Sequence, residues 1–415
     1  MLNIKIIKKS NISKLFILLV ILFITFYKNL QAFENDLKEI TYDIYQINDT
    51  KIYYIRSYNK LLSSVGIINK IGAYYDELSG QAHLCEHIFF KNKYNGKYIK
   101  YILSNFGASY NAATFNDFIV FYFTSNNYTI LKNINIFLYS VFNPSFDNID
   151  VDTEKNVVIT ELNTTYQDEN IYKIFSKYYK PTGGTINDVK KIDYNILYNY
   201  WKKNYTPQNL TIIIYSSLPF NYFKDSILSY FKGNLIYIKS NSINLKDYKQ
   251  IENNLKTNYD KFINFIKDRN SNLLNFEILE SKDYIYFYTE VKDNIIYYDL
   301  LSEIINKKSS DLNKNNDNNK DFTIELSSSL IPTKLSNFFI IKIKKINKKD
   351  NDFYKNYISN LINTINYEDF KYGYLKVYSD YVSYFSGNFD FIQFFSFLVA
   401  LNLLDIIKDF FNIYF

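Results

Sequence analysis

His83-Leu84-Cys85-Glu86-His87 holds both histidines and the single cysteine of a 415-residue chain. On a helix, residues four apart lie one above the other, so His83 and His87 turn two imidazoles to the same point. Glu86 stands three residues after the first histidine and beside the second, near that face. Two neutral nitrogen ligands and a carboxylate kept free for proton transfer are the parts of a catalytic metal site. The other reading is a pair of histidines packed on an apolar helix face. It must contend with scarcity, because chance places two histidines four apart about once in two hundred such chains, before Glu86 is required as well.

The surrounding sequence predicts a sheet that presents this helix. Residues 39–47, 51–57 and 61–76 alternate as neighbouring antiparallel strands would. A turn at 72–76 and the pair Ser79-Gly80 lead into a helix over 81–90, and a second helix ends at Phe106-Gly107. Asn116-Asp117 turns the chain between two further strands. The later one, 118–124, is continuously apolar and reads as buried on both faces. The earlier one, 109–114, is small and polar: a sheet-edge strand able to bind an extended peptide through its unpaired backbone, or an ordinary edge strand without a ligand. Helices follow over 128–142 and from 149. In the latter, Glu154, Val157, Val158 and Glu161 keep helical spacing, so two carboxylates sit two turns apart on one face. A carboxylate on a mostly apolar face needs a partner there, and a metal ion would be one.

With these segments in view, the HxxEH order resembles that of the inverted zinc peptidases, and the chain resembles the pitrilysin, insulin-degrading-enzyme and mitochondrial-processing-peptidase family. Five stretches carry the likeness in order: AHLCEHIFFKN at 82–92, NAATFND at 111–117, EKNVVITEL at 154–162, PTGGTINDVKKI at 181–192 and NYWKKNYTPQNLTIII at 199–214. The resemblance covers about residues 50–215. It implies an α+β fold of two similar domains, each a mainly antiparallel sheet with helices packed on it. It further implies one zinc per chain, held by His83, His87 and Glu161, with 73 residues between His87 and Glu161. Glu86 would be the general base, Glu154 would support the site without binding metal, and the strand holding Asn111 and Ala112 would pair with the substrate backbone. The implied activity is zinc-dependent endopeptidase hydrolysis of peptides.

Composition narrows the rest. The formal charge is +6, yet residues 1–32 hold five lysines and no acids, which leaves 43 basic against 42 acidic residues in the remainder. No nucleic-acid surface is expected from that balance. Lysines up to Lys14 lead into a thirteen-residue apolar run, LFILLVILFITFY at 15–27, and then a small Ala32. This predicts a secretory signal over 1–32, hence a secreted or periplasmic body, or an uncleaved membrane anchor. A zinc-binding domain over 33–235 is expected to be followed by a linker at 236–275, rich in Asn, Lys and Ser. A shortened second domain over 276–415 then includes a low-complexity loop at 309–321. The last helix is apolar nearly all round but carries Asp405 and Asp409, which argues for burial over a membrane span.

One family feature is missing. Members or their partners carry an arginine followed seven residues later by tyrosine in the last domain, contacting substrate. Neither arginine of this chain, Arg56 or Arg269, occupies such a place. A homologous partner subunit, in a hetero- or homodimer, could supply the pair. Alternatively, the chain is an inactive member that serves as a binding or assembly subunit.

Overall fold

The apolar runs at 62–69, 119–126 and 210–216 form strands buried at almost every position, which requires cover on both faces. The computed structural model describes residues 39–164, 180–244, 251–273, 276–315, 324–333, 336–346, 349–385 and 387–407. The segment at 1–32, expected as a signal, lies outside them. The first half supplies β1 (Glu39–Ile47), β2 (Thr50–Arg56), β3 (Leu62–Asn69), a short hairpin of β4 (Lys93–Tyr94) and β5 (Lys97–Tyr98), β6 (Ser109–Thr114), β7 (Ile119–Asn126), β8 (Leu210–Ser216) and β9 (Leu235–Asn244). All but the hairpin join one seven-stranded sheet in the order β6-β7-β3-β8-β2-β1-β9. Its ladders are antiparallel except for β2 with β8, which run parallel.

One face of this sheet is covered by α1 (Gln81–Phe89), α2 (Ile99–Asn105), α3 (Ile130–Phe142), α4 (Asn148–Thr164), α5 (Ile186–Lys191), α6 (Tyr194–Asn204) and α7 (Asn221–Leu228). Leu84, Cys85, Ile88 and Phe89 of α1 are fully buried there with Phe121, Phe137 and Trp201. Asp193 caps α6 by accepting from the Ile196 amide at 2.8 Å, as its place before the helix predicts.

The opposite face carries the second half of the chain. A four-stranded antiparallel sheet of β10 (Glu277–Glu280), β11 (Tyr284–Val291), β12 (Leu326–Pro332) and β13 (Asn337–Lys344), in the order β10-β11-β13-β12, is packed with α8 (Ile251–Leu273), α9 (Ile295–Asn315), α10 (Asn351–Asn363) and α11 (Tyr367–Phe385). A further helix, α12 (Asn388–Ala400), lies directly on β3, β7 and β8. Gly66 of β3 permits that approach, since a Cβ there would stand 2.7 Å from Ser396 Oγ. The apolar residues of 388–400 are thus used in core packing, and residues 408–411 of the same run lie outside the described part. Among the described residues no helix is long and apolar enough to cross a membrane.

Three expectations need correction. The first three strands are not consecutive neighbours, because β8 is inserted between β2 and β3; a local pattern cannot report a strand that arrives some 150 residues later. Residues 236–275 are not a bare linker: β9 extends the seven-stranded sheet to Asn244 and α8 fills much of the rest. The stripe Leu255, Asn258, Phe262 and Ile266 buries one side of α8, a helical spacing diluted by its Asn and Lys neighbours. Finally, α9 continues to Asn315 through the stretch expected as a low-complexity loop. Residues 316–323 of that loop lie outside the described part.

Within the second half, α9 carries Asp299 beside α11, among Glu303, Asp380, Lys376 and Tyr381. Burial, helped by the neighbouring charges of Glu303 and Asp380, raises its pKa to about 6. A carboxyl raised by folding is neutral in both states in acid, and the folded state loses stability as pH climbs through that value. Asp299→Asn should therefore raise the melting temperature by several degrees at pH 8 and leave it unchanged near pH 4. An equal shift at both pH values would refute this account.

Candidate metal centre

The motif helix is short, nine residues, and its N-cap is Gly80 at φ 107° with no side chain to cap the first turn. The cap comes from upstream: the buried Asp76 accepts from the amides of Gly80 and Ala82, while Gln81 Oε1 reaches back to accept from the loop amides of Glu77 and Leu78 at 2.9 Å each. The glycines of 181–185 serve packing against this turn: a Cβ on Gly184, itself at φ 81°, would stand 2.4 Å from the Ser79 carbonyl and 2.5 Å from Gly80 Cα.

On the polar side of α1, the two imidazoles meet at 88° with ring centres 4.7 Å apart. Both point Nε2 at one carboxylate oxygen of α4: Glu161 Oε2 lies 3.8 Å from His83 Nε2 and 3.5 Å from His87 Nε2. Two donors each about 2.1 Å from a tetrahedral ion stand roughly 3.4 Å from one another, so this spacing fits one zinc ion. Ligand atoms of the three residues all lie within 4.8 Å of one another. Two histidines and one glutamate are also a donor set used by catalytic zinc.

The far nitrogen of His87 is held in the way that orients a metal-binding imidazole. His87 Nδ1 donates to Glu154 Oε2 at 3.0 Å, since a carboxylate can only accept, and this leaves the Nε2 lone pair toward Glu161. Glu154 Oε1 in turn pairs with Lys91 at 2.8 Å. Burial works against the charge on Glu154, yet its bonds to His87 and Lys91 hold its pKa at about 2. Burial would lower His87, but the carboxylates of Glu154, Glu161 and Glu86 outweigh it and raise the pKa. His83 is held down to about 4 by burial and by His87, so it stays a neutral ligand. Its Nδ1 interacts with the backbone of Gly183 in a geometry short of a hydrogen bond.

Glu86 is kept off this cluster. Its Oε2 accepts from the Thr114 hydroxyl at 2.5 Å, and burial raises its pKa while Thr114 offsets part of that. Thr114 ends β6, which is the free edge of the seven-stranded sheet among the described residues. The Phe115 amide bonds the Phe118 carbonyl inward, so ladder alternation turns the backbone groups of Tyr110, Ala112 and Thr114 outward and those of Asn111 and Ala113 toward β7. The Asn111 side chain reaches round to accept from the Ala112 amide at 2.9 Å. Of the residues read from the sequence, His83, His87, Glu161, Glu154 and Glu86 are thus gathered at one place, with Asn111 and Ala112 on the adjoining edge. The sequence reading missed Lys91 and Thr114. Lys91 lies in the turn just past the end of α1, so helical spacing alone does not place it beside His87. Thr114 becomes visible only once the strand's outward set is known.

Residues 51–182 match the insulinase family, peptidase family M16. A curated Bacillus subtilis relative named "Putative zinc protease AlbF" is 28% identical over 144 residues, which cover 32% of this chain and 33% of that protein, so the match spans about a third of each. In fold, the chain is similar to a protease from Helicobacter pylori, with a TM-score of 0.65 at 14% identity over 90% of this chain and 92% of that one. It is also similar to the peptidase M16 inactive domain from Pseudomonas fluorescens, with a TM-score of 0.63 at 12% identity over 90% and 91%. Against pitrilysin the TM-score is 0.53 at 15% identity, covering 88% of this chain and 42% of pitrilysin. The stretch that carries the inverted motif and the paired glutamates is thus the part matched by these comparisons, and residues 51–182 belong to the insulinase family of M16 peptidases.

Proposed function

We propose that this chain is an exported zinc endopeptidase acting on peptides or small polypeptides, with His83, His87 and Glu161 holding the metal and Glu86 moving the proton. The observation that carries the reading is the convergence of both Nε2 atoms on Glu161 Oε2 while Glu86, one residue from a ligand, is bonded elsewhere. A zinc ion held there would supply Lewis acidity, making water a nucleophile near neutral pH. Glu86 would accept the proton of that water and return it to the departing amine. Its carboxylate is aimed by Thr114, the last residue of the edge strand, so the base and the β6 backbone keep a fixed relation. An extended peptide added to β6 would lie beside Glu86, with Ala112 pairing through its outward groups and Asn111 yielding the Ala112 amide. Glu154 and Lys91 hold the His87 ring and touch no substrate.

In this proposal the chain has two similar α+β domains that meet through the seven-stranded sheet and α12. Export rests on the basic and apolar pattern of residues 1–32. The absent Arg-Tyr pair supports work with a homologous partner subunit that supplies it. The same absence favours a second reading, a catalytically silent member that binds peptides or assembles with an active one.

Two measurements separate these readings. Glu86→Gln should retain one zinc per chain and lose hydrolysis by about 10²–10⁴-fold, whereas His87→Ala should lose the metal itself. A Glu86→Gln protein cleaving peptides at the wild-type rate would remove the assigned base. The purified chain alone should show little peptidase activity that rises when an Arg-Tyr-bearing relative is added. Full activity as an isolated monomer would reject the partner requirement, and no activity in either state, with zinc bound, would favour the silent member.

A further inference from the structure

We propose that Asp76 is the positioning residue of the metal centre: its buried carboxylate fixes the first turn of α1, and through that turn the direction of His83. The proposal rests on the metal reading above.

On its own, α1 lacks what would keep its first turn in place. A nine-residue helix is too short to hold itself together in isolation, and its N-cap is a glycine that offers no side-chain acceptor. His83 is only the third residue inside it, within the turn that frays first. Asp76 fills the gap from four residues before the cap. Its Oδ2 accepts from the Gly80 amide at 2.9 Å and its Oδ1 from the Ala82 amide at 3.1 Å, two of the otherwise orphaned donors. A carboxylate at that end also meets the positive end of the helix dipole.

Asp76 is itself immobilised. It is 4% exposed, and Oδ1 accepts a further bond at 2.9 Å from Tyr200 Oη of α6. The Lys180 ammonium bonds the Asp76 carbonyl at 2.8 Å, while the Lys180 amide bonds Asn116 Oδ1 at 2.8 Å. One carboxylate therefore ties the motif helix to α6, and its backbone is tied to the loop whose Gly184 presses on Gly80. His83 has no strong bond on its far nitrogen comparable to the Glu154 contact of His87. Its orientation depends on the helix turn, and the turn depends on Asp76.

The test measures metal binding and coordination geometry in the full chain. Zinc affinity is read by chelator competition, and the cobalt-substituted protein is read by its visible spectrum, which responds to ligand geometry and not to global stability. Asp76→Asn preserves shape but sets an amide NH2 against one of the helix donors. It should weaken zinc binding about 10–100-fold, the usual effect of losing a group that orients a ligand, and should shift the cobalt bands while far-UV circular dichroism is retained. A folded Asp76→Asn protein that melts earlier but keeps the wild-type zinc affinity and cobalt spectrum would overturn the proposal, leaving Asp76 a stability residue alone. If Asp76→Asn does not fold, Tyr200→Phe decides: it removes one bond from the carboxylate and none from the helix. A several-fold weaker affinity with a shifted spectrum would support the proposal, and unchanged values would overturn it. Wild-type protein that binds neither zinc nor cobalt would instead sink the metal reading, a result distinguishable from both.

Discussion

Two helices separated by some sixty residues are joined through polar side chains that neither could bury alone. Glu154 and Glu161 of α4 face the imidazoles of α1, and each buried or half-buried charge has its counterpart within 4 Å. Desolvating a carboxylate costs several kcal/mol unless a partner and hydrogen bonds compensate. The arrangement is therefore all-or-none in character: moving α4 away would strand Glu154, Lys91 and His87 together. The rest of the architecture serves to hold these two helices at that distance. The apolar side of α1 is fixed against β7 and the aromatic cluster of Phe89, Phe121 and Phe137, so the polar side has no freedom to turn.

The same helix also fixes the relation between the centre and the sheet edge. Glu86 leaves α1 on the side of β6 and bonds Thr114, while His83 and His87 leave toward α4. One nine-residue element thus divides its polar residues between two neighbours, the metal ligands to a helix and the proton carrier to a strand. This explains how adjacent residues, Glu86 and His87, come to have different chemistry. Their separation is set by what each touches, not by their place in the chain.

Local periodicity was sufficient to place the motif helix, the paired glutamates, the Asp193 cap and the small polar strand at the sheet edge. Those features are written in nearest neighbours along the chain. The insertion of β8 is not, since a parallel ladder with β2 depends on a crossover of many elements. The strand β9 and the helix α8 were hidden for a different reason: their exposed faces are built from the Asn, Lys and Ser that also mark loops. In the site itself, residue types with unmistakable metal chemistry were readable, but the groups that aim them were not. Asp76, Lys91 and Thr114 are ordinary residues until the fold supplies their partners. Asp76 in particular read only as the end of a turn.

The bond from the Ala112 amide to its neighbour Asn111 bears on how the molecule survives in company. Exposed strand margins invite copies of a protein to stitch themselves into ribbons, and most proteins blunt such margins with charge or proline. Here two side chains do the blunting. A side-chain amide covers one outward donor and Glu86 engages the backbone of Thr114, so an idle margin offers few open donors to a passing chain. Both covers are side chains that take no part in the ladder to β7, so the margin is shielded without altering the pairing beneath it.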